Sequence, residues 1–137
     1  MTKEQCVSEF IELFPHHKAD YEEHIKDYSE ILGHVFFGDV INIPLTSLLK
    51  ANTDSVSIKK YIGFVERMYT LGDDGVKDIV NATILEYLGD YDDVLRNAFE
   101  YFSDALIEES KLIEEALGRR KIVISHKKGR TYTRWQI

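Results

Sequence analysis

The chain has 137 residues, of which 44% are hydrophobic and 30% charged, and its net charge at neutral pH is −7. This length suits one domain with an ordinary core, and the composition excludes a disordered or fibrous chain. No apolar run approaches the ~20 residues of a membrane span or resembles a secretion signal, so we expect a cytoplasmic protein without membrane contact. The single cysteine, Cys6, cannot form an internal disulfide and suits a reducing compartment.

The charge is distributed very unevenly along the chain. Residues 1–118 carry −14 and include all 24 acidic residues, whereas residues 119–137 carry +7. An acidic body repels nucleic acid and attracts cationic proteins, while a basic end can hold phosphate or the acidic face of its own body. The sequence predicts a single domain, 1–137, with a helical body over 1–118 and a basic β-hairpin over 119–137.

Helical periodicity begins at the first residues. Thr2 and Gln5 form a capping-box pattern before an apolar stripe, and Pro15 ends this first helix. Residues 18–27 predict a polar helix that lies on the surface. Ser29 is placed to cap the element that follows.

Residues 31–45 are the most apolar part of the chain, and their periodicity suits either a buried helix or a strand. We favour a central helix that is broken or redirected near Pro44, because proline fits the first turn of a helix that restarts there. The valine, phenylalanine and isoleucine content is also typical of a strand. Within this segment we interpret His34 and Asp39 as an internal hydrogen-bonded clasp, with a general acid and base as the alternative.

Three further helical stretches have marked boundaries. They begin at Ser55 or Ser57, at Asp73 or Asp74, and at Asp90, and they end at Gly72, Gly89 and Gly118. The last stretch is either one long helix or two helices that meet at Ser103, which is a suitable cap.

The pattern changes after Gly118. Residues 121–125 and 130–135 are short runs of β-branched or alternating side chains, and the loop between them contains Gly129, which predicts a β-hairpin. A lone hairpin is marginal in water, so it must pack on the helices. The side chains available for this packing are Ile122, Ile124, Tyr132 and Trp135. The predicted fold class is therefore mainly α: a compact bundle of about six helices, or a helical-repeat-like domain, with a short C-terminal hairpin.

Potential metal ligands occur together once, where His17, Asp20 and His24 fall at i, i+3 and i+7 of the polar helix, near His16 and Asp27. Zinc and other transition metals accept such ligands. The fixed spacing of established metal motifs is missing, and phosphate-binding glycine patterns are absent too. We therefore expect no metal, no cofactor and no catalytic residue. A small metal-dependent enzyme that uses this cluster, joined by His34, is the alternative.

Basic and aromatic side chains alternate near the C-terminus. Such a pattern can bind single-stranded nucleic acid by stacking and phosphate contact. The −14 body opposes this binding, so we do not expect nucleic acid as the partner. A nucleic-acid-associated regulator remains a further alternative, and it would use Lys127, Lys128, Arg130, Arg134 and Trp135.

Two stretches carry a resemblance to known proteins. These are residues 34–39 (HVFFGD), and residues 84–90 (ILEYLGD) followed by a long helical stretch that ends in EEALGR at 114–119. Over residues 20–119 the chain resembles a family of small uncharacterised bacterial helical proteins, some of which accompany toxin genes as immunity proteins. The resemblance implies an inhibitor that neutralises a cognate toxin.

The charge pattern agrees with this implication. An inhibitor needs a shaped, charged surface, and a toxin that degrades nucleic acid has a basic cleft that acidic side chains can steer toward and occupy. We therefore expect an immunity protein, not an enzyme, whose partner is a basic nuclease domain of a toxin used in competition between bacteria. The alternative is that the acidity only favours solubility. The expected partner-binding residues are Glu22, Glu23, Asp27, Asp73, Asp74, Asp90, Asp92, Asp93, Arg130, Arg134 and Trp135.

Overall fold

A computed structural model describes residues 1–136 as seven helices followed by a two-stranded antiparallel hairpin. The helices are α1 (Lys3–Leu13), α2 (Lys18–Tyr28), α3 (33–51), α4 (Ser55–Leu71), α5 (74–88), α6 (Asp92–Phe99) and α7 (Asp104–Ala116). The strands are β1 (Lys121–Lys127) and β2 (Arg130–Gln136), and a 3-10 turn at Pro15–His17 joins α1 to α2. The predicted fold class is confirmed, with one helix more than the six expected.

The caps of α1 form as the sequence predicts. The Gln5 N–H donates to the Thr2 hydroxyl oxygen at 3.2 Å, and the Thr2 N–H donates to Gln5 Oε1 at 2.9 Å, which completes the capping box. Ser29, by contrast, does not cap the next helix. It ends α2 in the left-handed conformation (φ 62°), and its N–H donates to the carbonyl of Ile25.

Residues 33–51 form one helix, α3, so the segment that suited a helix or a strand is helical. It consists of α-helical segments at Gly33–Phe37 and Ile43–Ala51 with a π-helical segment, Gly38–Asn42, between them. Pro44 lies in the first turn of the second segment, as predicted, but the helix is not broken there. A proline lacks a backbone donor and needs room for its ring, and we attribute its tolerance here to the wider π turn just before it.

Helix α5 contains a second π-helical segment, Ile79–Leu85, between Asp74–Asp78 and Glu86–Leu88. The two π segments lie next to each other. The side-chain amide of Asn42 donates to the main-chain carbonyl of Thr83 at 3.1 Å. Because a π turn disturbs the regular helical ladder, such a side-chain donor can satisfy one of its carbonyls.

The remaining helix boundaries agree only partly with the predictions. Asp73 caps α5 by accepting the N–H of Val76 at 3.0 Å, and Ser103 caps α7, so α6 and α7 are separate helices. The cap of α4 is Asp54, which accepts the N–H of Ser57 at 3.1 Å, so Ser55 and Ser57 are inside the helix.

The sequence predicts that Asp90 caps α6, but it does not. The N-cap position of this helix is Tyr91, and no side chain accepts a hydrogen bond there. The Asp90 carboxylate instead accepts a hydrogen bond from Arg119 at 2.7 Å. A long-range ion pair has therefore replaced the local cap.

The core has an aromatic half and an aliphatic half. Phe10 stacks on Phe14 with 4.6 Å between ring centroids, and Phe14 stacks on Tyr61 at the same distance. Phe36 and Phe37 of α3 add edge-to-face contacts to Phe10. The aliphatic half is fully buried and consists of Ile84, Leu85, Leu88, Val94, Leu95 and Leu106.

The hairpin turns at Lys128 and Gly129, both with positive φ (53° and 72°), which is the backbone pattern of a tight two-residue hairpin turn. Ile122 pairs with Trp135 across the strands and is fully buried. The hairpin thus packs on the body, with β1 next to α7. None of the helices described over residues 1–136 has the length and apolar character needed to cross a membrane.

Candidate functional site

A groove in which half of the lining residues are acidic lies between α2 and α3. Its lining residues are Asp20, Glu23, His24, Asp27 and Tyr28 of α2 with Phe36, Asp39 and Val40 of α3, and its volume is about 270 Å³. We call this feature the acidic groove. Its α2 carboxylates fall at i, i+3 and i+7, a spacing that places them along one face of the helix.

Three carboxylates of the acidic groove have no cationic partner in the described part of the chain. Among residues 1–136, none of the ion pairs involves Glu23, Asp27 or Asp39. Asp20 is bonded to His17 at 2.8 Å. The acidic groove therefore presents uncompensated negative charge to solvent.

His24 lies in the acidic groove and is only 5% exposed. Its Nε2 accepts the main-chain N–H of Leu32 at 3.0 Å, which fixes the neutral ring as the tautomer protonated on Nδ1. The ring also contacts Phe36, with 5.5 Å between centroids. His24 thus holds the loop between α2 and α3 in place beneath the carboxylates.

Exposed apolar side chains accompany these charges. Tyr28 of the acidic groove is 46% exposed, and Val35 and Ile43 are 40% and 61% exposed. Val35 and Ile43 lie four residues before and after Asp39, and all three are exposed residues of α3. Apolar side chains next to polar and charged ones are the usual composition of a protein-binding surface.

His17 lies outside the acidic groove, in a hydrogen-bonded chain that joins α2 to α4. Its Nδ1 is 2.8 Å from Asp20 Oδ2, and its Nε2 is 2.8 Å from the hydroxyl of Tyr61. His16 Nε2 lies 3.4 Å from the same hydroxyl. Burial, with a contribution from Asp20, raises the pKa of Tyr61. Both nitrogens of His17 are therefore engaged within the protein.

The predicted histidine and aspartate cluster is not brought together as one ligand set. His17 and Asp20 bond each other, whereas His24 binds the loop at Leu32. Within residues 1–136, no three His, Cys, Asp or Glu side chains converge in a way that could hold a metal ion.

The interpretation of His34 and Asp39 as a clasp is wrong. His34 Nδ1 lies 2.6 Å from Thr83 Oγ1, and its Nε2 lies 3.3 Å from Asp78 Oδ2, so His34 contacts α5. Asp39 lines the acidic groove instead. His34 therefore contacts α5, whereas Asp39 lines the groove between α3 and α2.

The predicted acidic residues occupy three different settings. Glu22, Glu23 and Asp27 are exposed on α2, and the last two line the acidic groove. Asp73 and Asp74 lie at the start of α5, where Asp73 is used as the cap. The third group, Asp90, Asp92 and Asp93, lies just before and at the start of α6.

Two members of this third group are neutralised by arginines. Asp90 pairs with Arg119 at 2.7 Å, and Asp92 pairs with Arg96 at 2.8 Å and with Arg120 at 3.3 Å. Their charge is compensated within the chain, and they contribute less to the field outside it. The sequence could not show the pairs with Arg119 and Arg120, because these arginines lie almost 30 residues away from Asp90 and Asp92.

Glu114 is the centre of this arginine network. Its side chain is only 1% exposed and accepts hydrogen bonds from Arg119 Nε and Nη2, both at 2.8 Å, and from Arg120 Nη1 at 3.2 Å. Arg119 also donates to the carbonyl of Glu86, and Arg120 donates to that of Gly89. These contacts fasten the start of the hairpin to the helical body.

The two faces of the hairpin differ strongly. Arg130, Tyr132 and Arg134 alternate along β2 on the outer face, where all three are exposed. Trp135 points to the inner face, where it packs on Phe99 with 5.1 Å between centroids. The structure therefore separates Trp135 from the two arginines with which it was predicted to act.

Tyr132 is the outer-face aromatic residue and is 48% exposed, so it does not pack the hairpin on the helices as the sequence had allowed. Ile122 and Trp135 do so, joined by the half-buried Ile124. The error follows from the period of a strand, since a shift of one residue exchanges the two faces.

Sequence analysis did not identify Asp39 as a surface residue of the acidic groove. The available signal was its spacing, because position 39 is polar within an otherwise apolar segment and stands four residues from Val35 and from Ile43. A polar position within such a segment indicates an exposed residue of a mostly buried helix.

A family model described as a domain of unknown function, DUF7674, matches residues 7–116. No curated protein and no solved structure matches the chain significantly. The matched range includes all of α2 to α7 and therefore the whole acidic groove, whereas Arg119, Arg120 and both strands lie outside it. The chain belongs to the DUF7674 family.

Proposed function

We propose that this protein is an immunity-type inhibitor that binds a basic protein, the nuclease domain of a toxin, through the acidic groove. One observation carries the proposal. Glu23, Asp27 and Asp39 line one groove together with the exposed ring of Tyr28, and over residues 1–136 these three carboxylates have no cationic partner. Val35 and Ile43 are further exposed apolar side chains of α3.

The two kinds of side chain have different physical roles in this proposal. Unpaired carboxylates steer a cationic partner and set the salt dependence of the association rate. Apolar side chains that become buried supply most of the lasting affinity, and aromatic residues are frequent hot spots. Tyr28 is therefore the proposed anchor, and the three carboxylates are the proposed contacts to lysine or arginine side chains of the toxin.

The hydrogen bonds of the histidines favour binding over acid–base chemistry at the acidic groove. His24 uses its Nε2 to accept from Leu32, and His17 uses both ring nitrogens with Asp20 and Tyr61. A general base must be free to reach a substrate proton. These rings instead fix the backbone and the helix contacts that shape the groove.

The decisive experiment measures binding to a basic nuclease toxin encoded beside this chain and relief of its toxicity on co-expression. The test variant reverses three charges: Glu23→Lys, Asp27→Lys and Asp39→Lys. We expect its association rate at low salt to fall at least tenfold, since like charges then oppose the basic cleft, and we expect protection to be lost.

A matched control reverses three exposed carboxylates elsewhere, with Glu100→Lys, Glu108→Lys and Glu115→Lys. It changes the net charge by the same amount, so a general effect of net charge would weaken both variants alike. Equal binding by the test variant and the unmodified chain would refute the acidic groove as the interface. Absence of binding to any such nuclease would refute the inhibitor function itself.

A further inference from the structure

The outer face of the hairpin carries a second charged surface, of opposite sign to the acidic groove. The strand register places Lys127 opposite Arg130, Ser125 opposite Tyr132 and Val123 opposite Arg134. Because side chains alternate between faces, these residues and Lys121 share the outer face. We call Lys121, Lys127, Arg130, Tyr132 and Arg134 the basic face.

Within residues 1–136, the cations of the basic face have no ion-pair partner. None of the ion pairs found over residues 1–136 involves Lys121, Lys127, Arg130 or Arg134, and Lys128 in the turn is equally unpaired. By contrast, Arg119 and Arg120, the two arginines that begin the basic segment, form ion pairs with carboxylates of the body. The basic segment thus has two paired arginines at its start and unpaired, exposed cations on the hairpin.

The same pairing removes part of the repulsion expected from the acidic body, because Asp90, Asp92 and Glu114 are neutralised by the arginines at the base of the hairpin. Two nearby carboxylates are in no ion pair over residues 1–136: Asp104, which accepts a hydrogen bond from Thr131 on the inner face at 2.7 Å, and Glu115, which lines a pocket with Lys121. Carboxylates farther away are screened, since the Debye length is about 8 Å at physiological ionic strength. The net charge of the whole chain therefore does not describe the field at the basic face.

We propose that the basic face binds single-stranded nucleic acid. The phosphates of the nucleic acid would contact Lys121, Lys127, Arg130 and Arg134, and one of its unpaired bases would stack on the exposed ring of Tyr132. The arginines two residues before and after Tyr132 place positive charge on both sides of the stacking ring, which is the arrangement that single-strand binders combine. A strand of seven residues is about 23 Å long, so the site takes a short segment of a few nucleotides.

The test is a titration of fluorescent single-stranded oligonucleotides with the full chain, followed by fluorescence anisotropy over a range of salt concentrations. Four phosphate contacts predict a slope of log K against log salt of about −3, from about −0.7 per contact. Arg130→Ala should make the slope shallower by about 0.7. Tyr132→Ala should weaken binding about 5- to 100-fold with little change of slope, because stacking does not release counterions.

Tyr28→Ala is the matched control for the aromatic side chain, since Tyr28 is 46% exposed and Tyr132 48%. It should leave oligonucleotide binding unchanged, and Tyr132→Ala should leave inhibition of the toxin unchanged, so failure of this proposal and failure of the proposed function are distinguishable. The fluorescence of Trp135, the one tryptophan of the chain, reports whether the hairpin stays folded in each variant.

Two results would overturn the proposal. These are no oligonucleotide binding at low salt, whether or not the chain binds phosphatidylserine vesicles, and oligonucleotide binding that does not change in Arg130→Ala and Tyr132→Ala. Equal sensitivity of single-stranded and duplex binding to Tyr132→Ala would also count against it, because a stacked duplex offers no free base to the ring.

Discussion

Replacement of Glu114 by glutamine should destabilise the protein strongly. The side chain keeps its size, but the charge that balances Arg119 and Arg120 disappears. Arg120 is only 9% exposed and Arg119 25%, so neither guanidinium can recover full hydration. The remaining partners of the two arginines are Asp90, Asp92 and two backbone carbonyls.

The magnitude follows from the burial of these groups. Breaking a buried ion pair by removing one partner costs about 3–5 kcal/mol, because the other charge remains in a poorly hydrated site. We expect the lower end, about 3 kcal/mol, since Arg119 is a quarter exposed and Arg120 keeps Asp92. For a domain of this size, that loss corresponds to a melting temperature lower by ~10 °C.

Urea denaturation followed by two signals measures the effect. Far-UV circular dichroism reports the helices, and the fluorescence of Trp135 reports the hairpin. Glu114→Gln should lower the midpoint of both transitions and move that of Trp135 to lower urea than that of the helices. Glu108→Gln, at an exposed position of the same helix, should change stability by less than about 0.5 kcal/mol.

A double variant tests the reasoning behind the magnitude. Glu114→Leu combined with Arg120→Met removes the two most buried charges and leaves Arg119 its pair with Asp90, so it should recover part of the stability that Glu114→Gln loses, because an unpaired buried charge is what destabilises. A loss of less than about 1 kcal/mol for Glu114→Gln would refute the view that this network fastens the hairpin.

Three further predictions concern packing and protonation. Gly89→Ala should destabilise by about 1–3 kcal/mol in a thermal melt, since a methyl group would overlap with the ion-pair network beneath it, whereas Gly63→Ala, in open space on α4, should stabilise slightly. Burial raises the pKa of the Cys6 thiol to about 12 and leaves its side chain unexposed, so at pH 8 its reaction with a disulfide reagent should be slower by orders of magnitude in the folded than in the unfolded chain. The hydrogen bond from Arg96 lowers the pKa of Asp92. The contribution of the ionised Asp92 carboxylate to stability is therefore complete above pH 3.8 and is lost as the pH falls through the lowered pKa. An NMR titration with and without Arg96→Met should show this shift of the pKa.

The sequence predicted a helix end correctly where the side chain that determines it acts on the neighbouring backbone. Thr2, Pro15, Asp73 and Ser103 act within one turn of their own position, so their side chains decide the boundary without help from the fold. Asp90 fails because its carboxylate has a stronger partner far along the chain. The competition between a local cap and a distant arginine cannot be judged before the arginine is placed.

The π segments could not be predicted from hydrophobic periodicity. A π turn shifts the apolar stripe by a fraction of a turn, and a run such as residues 31–45, which is apolar on almost every side, hides that shift. The stabilising contact at Asn42 depends on Thr83, 41 residues away. A regular helix was therefore the only interpretation that the local pattern supported for residues 74–88.

The candidate surfaces were predicted by charge type but not by grouping. The sequence identified Glu23 and Asp27 but treated Asp39 as internal, because it stands in the apolar segment of α3. It also grouped Trp135 with Arg130 and Arg134, although strand alternation sends them to opposite faces. Composition thus predicted an acidic and a basic surface, and only the packing of helices and strands shows which members of each set lie together.

The position of the arginine network relative to the family domain bears on how the chain unfolds. Glu114 lies inside the matched range, 7–116, but Arg119 and Arg120, which neutralise it, lie outside. A buried carboxylate without these partners is costly, so the domain depends on the first two residues of the hairpin segment. Because Ile122 and Trp135 depend in turn on the body for their burial, neither part gains by separating. The unmodified chain should therefore lose its Trp135 signal and its helical signal at the same urea concentration, and the separation of these signals in Glu114→Gln measures how much of the coupling passes through this one carboxylate.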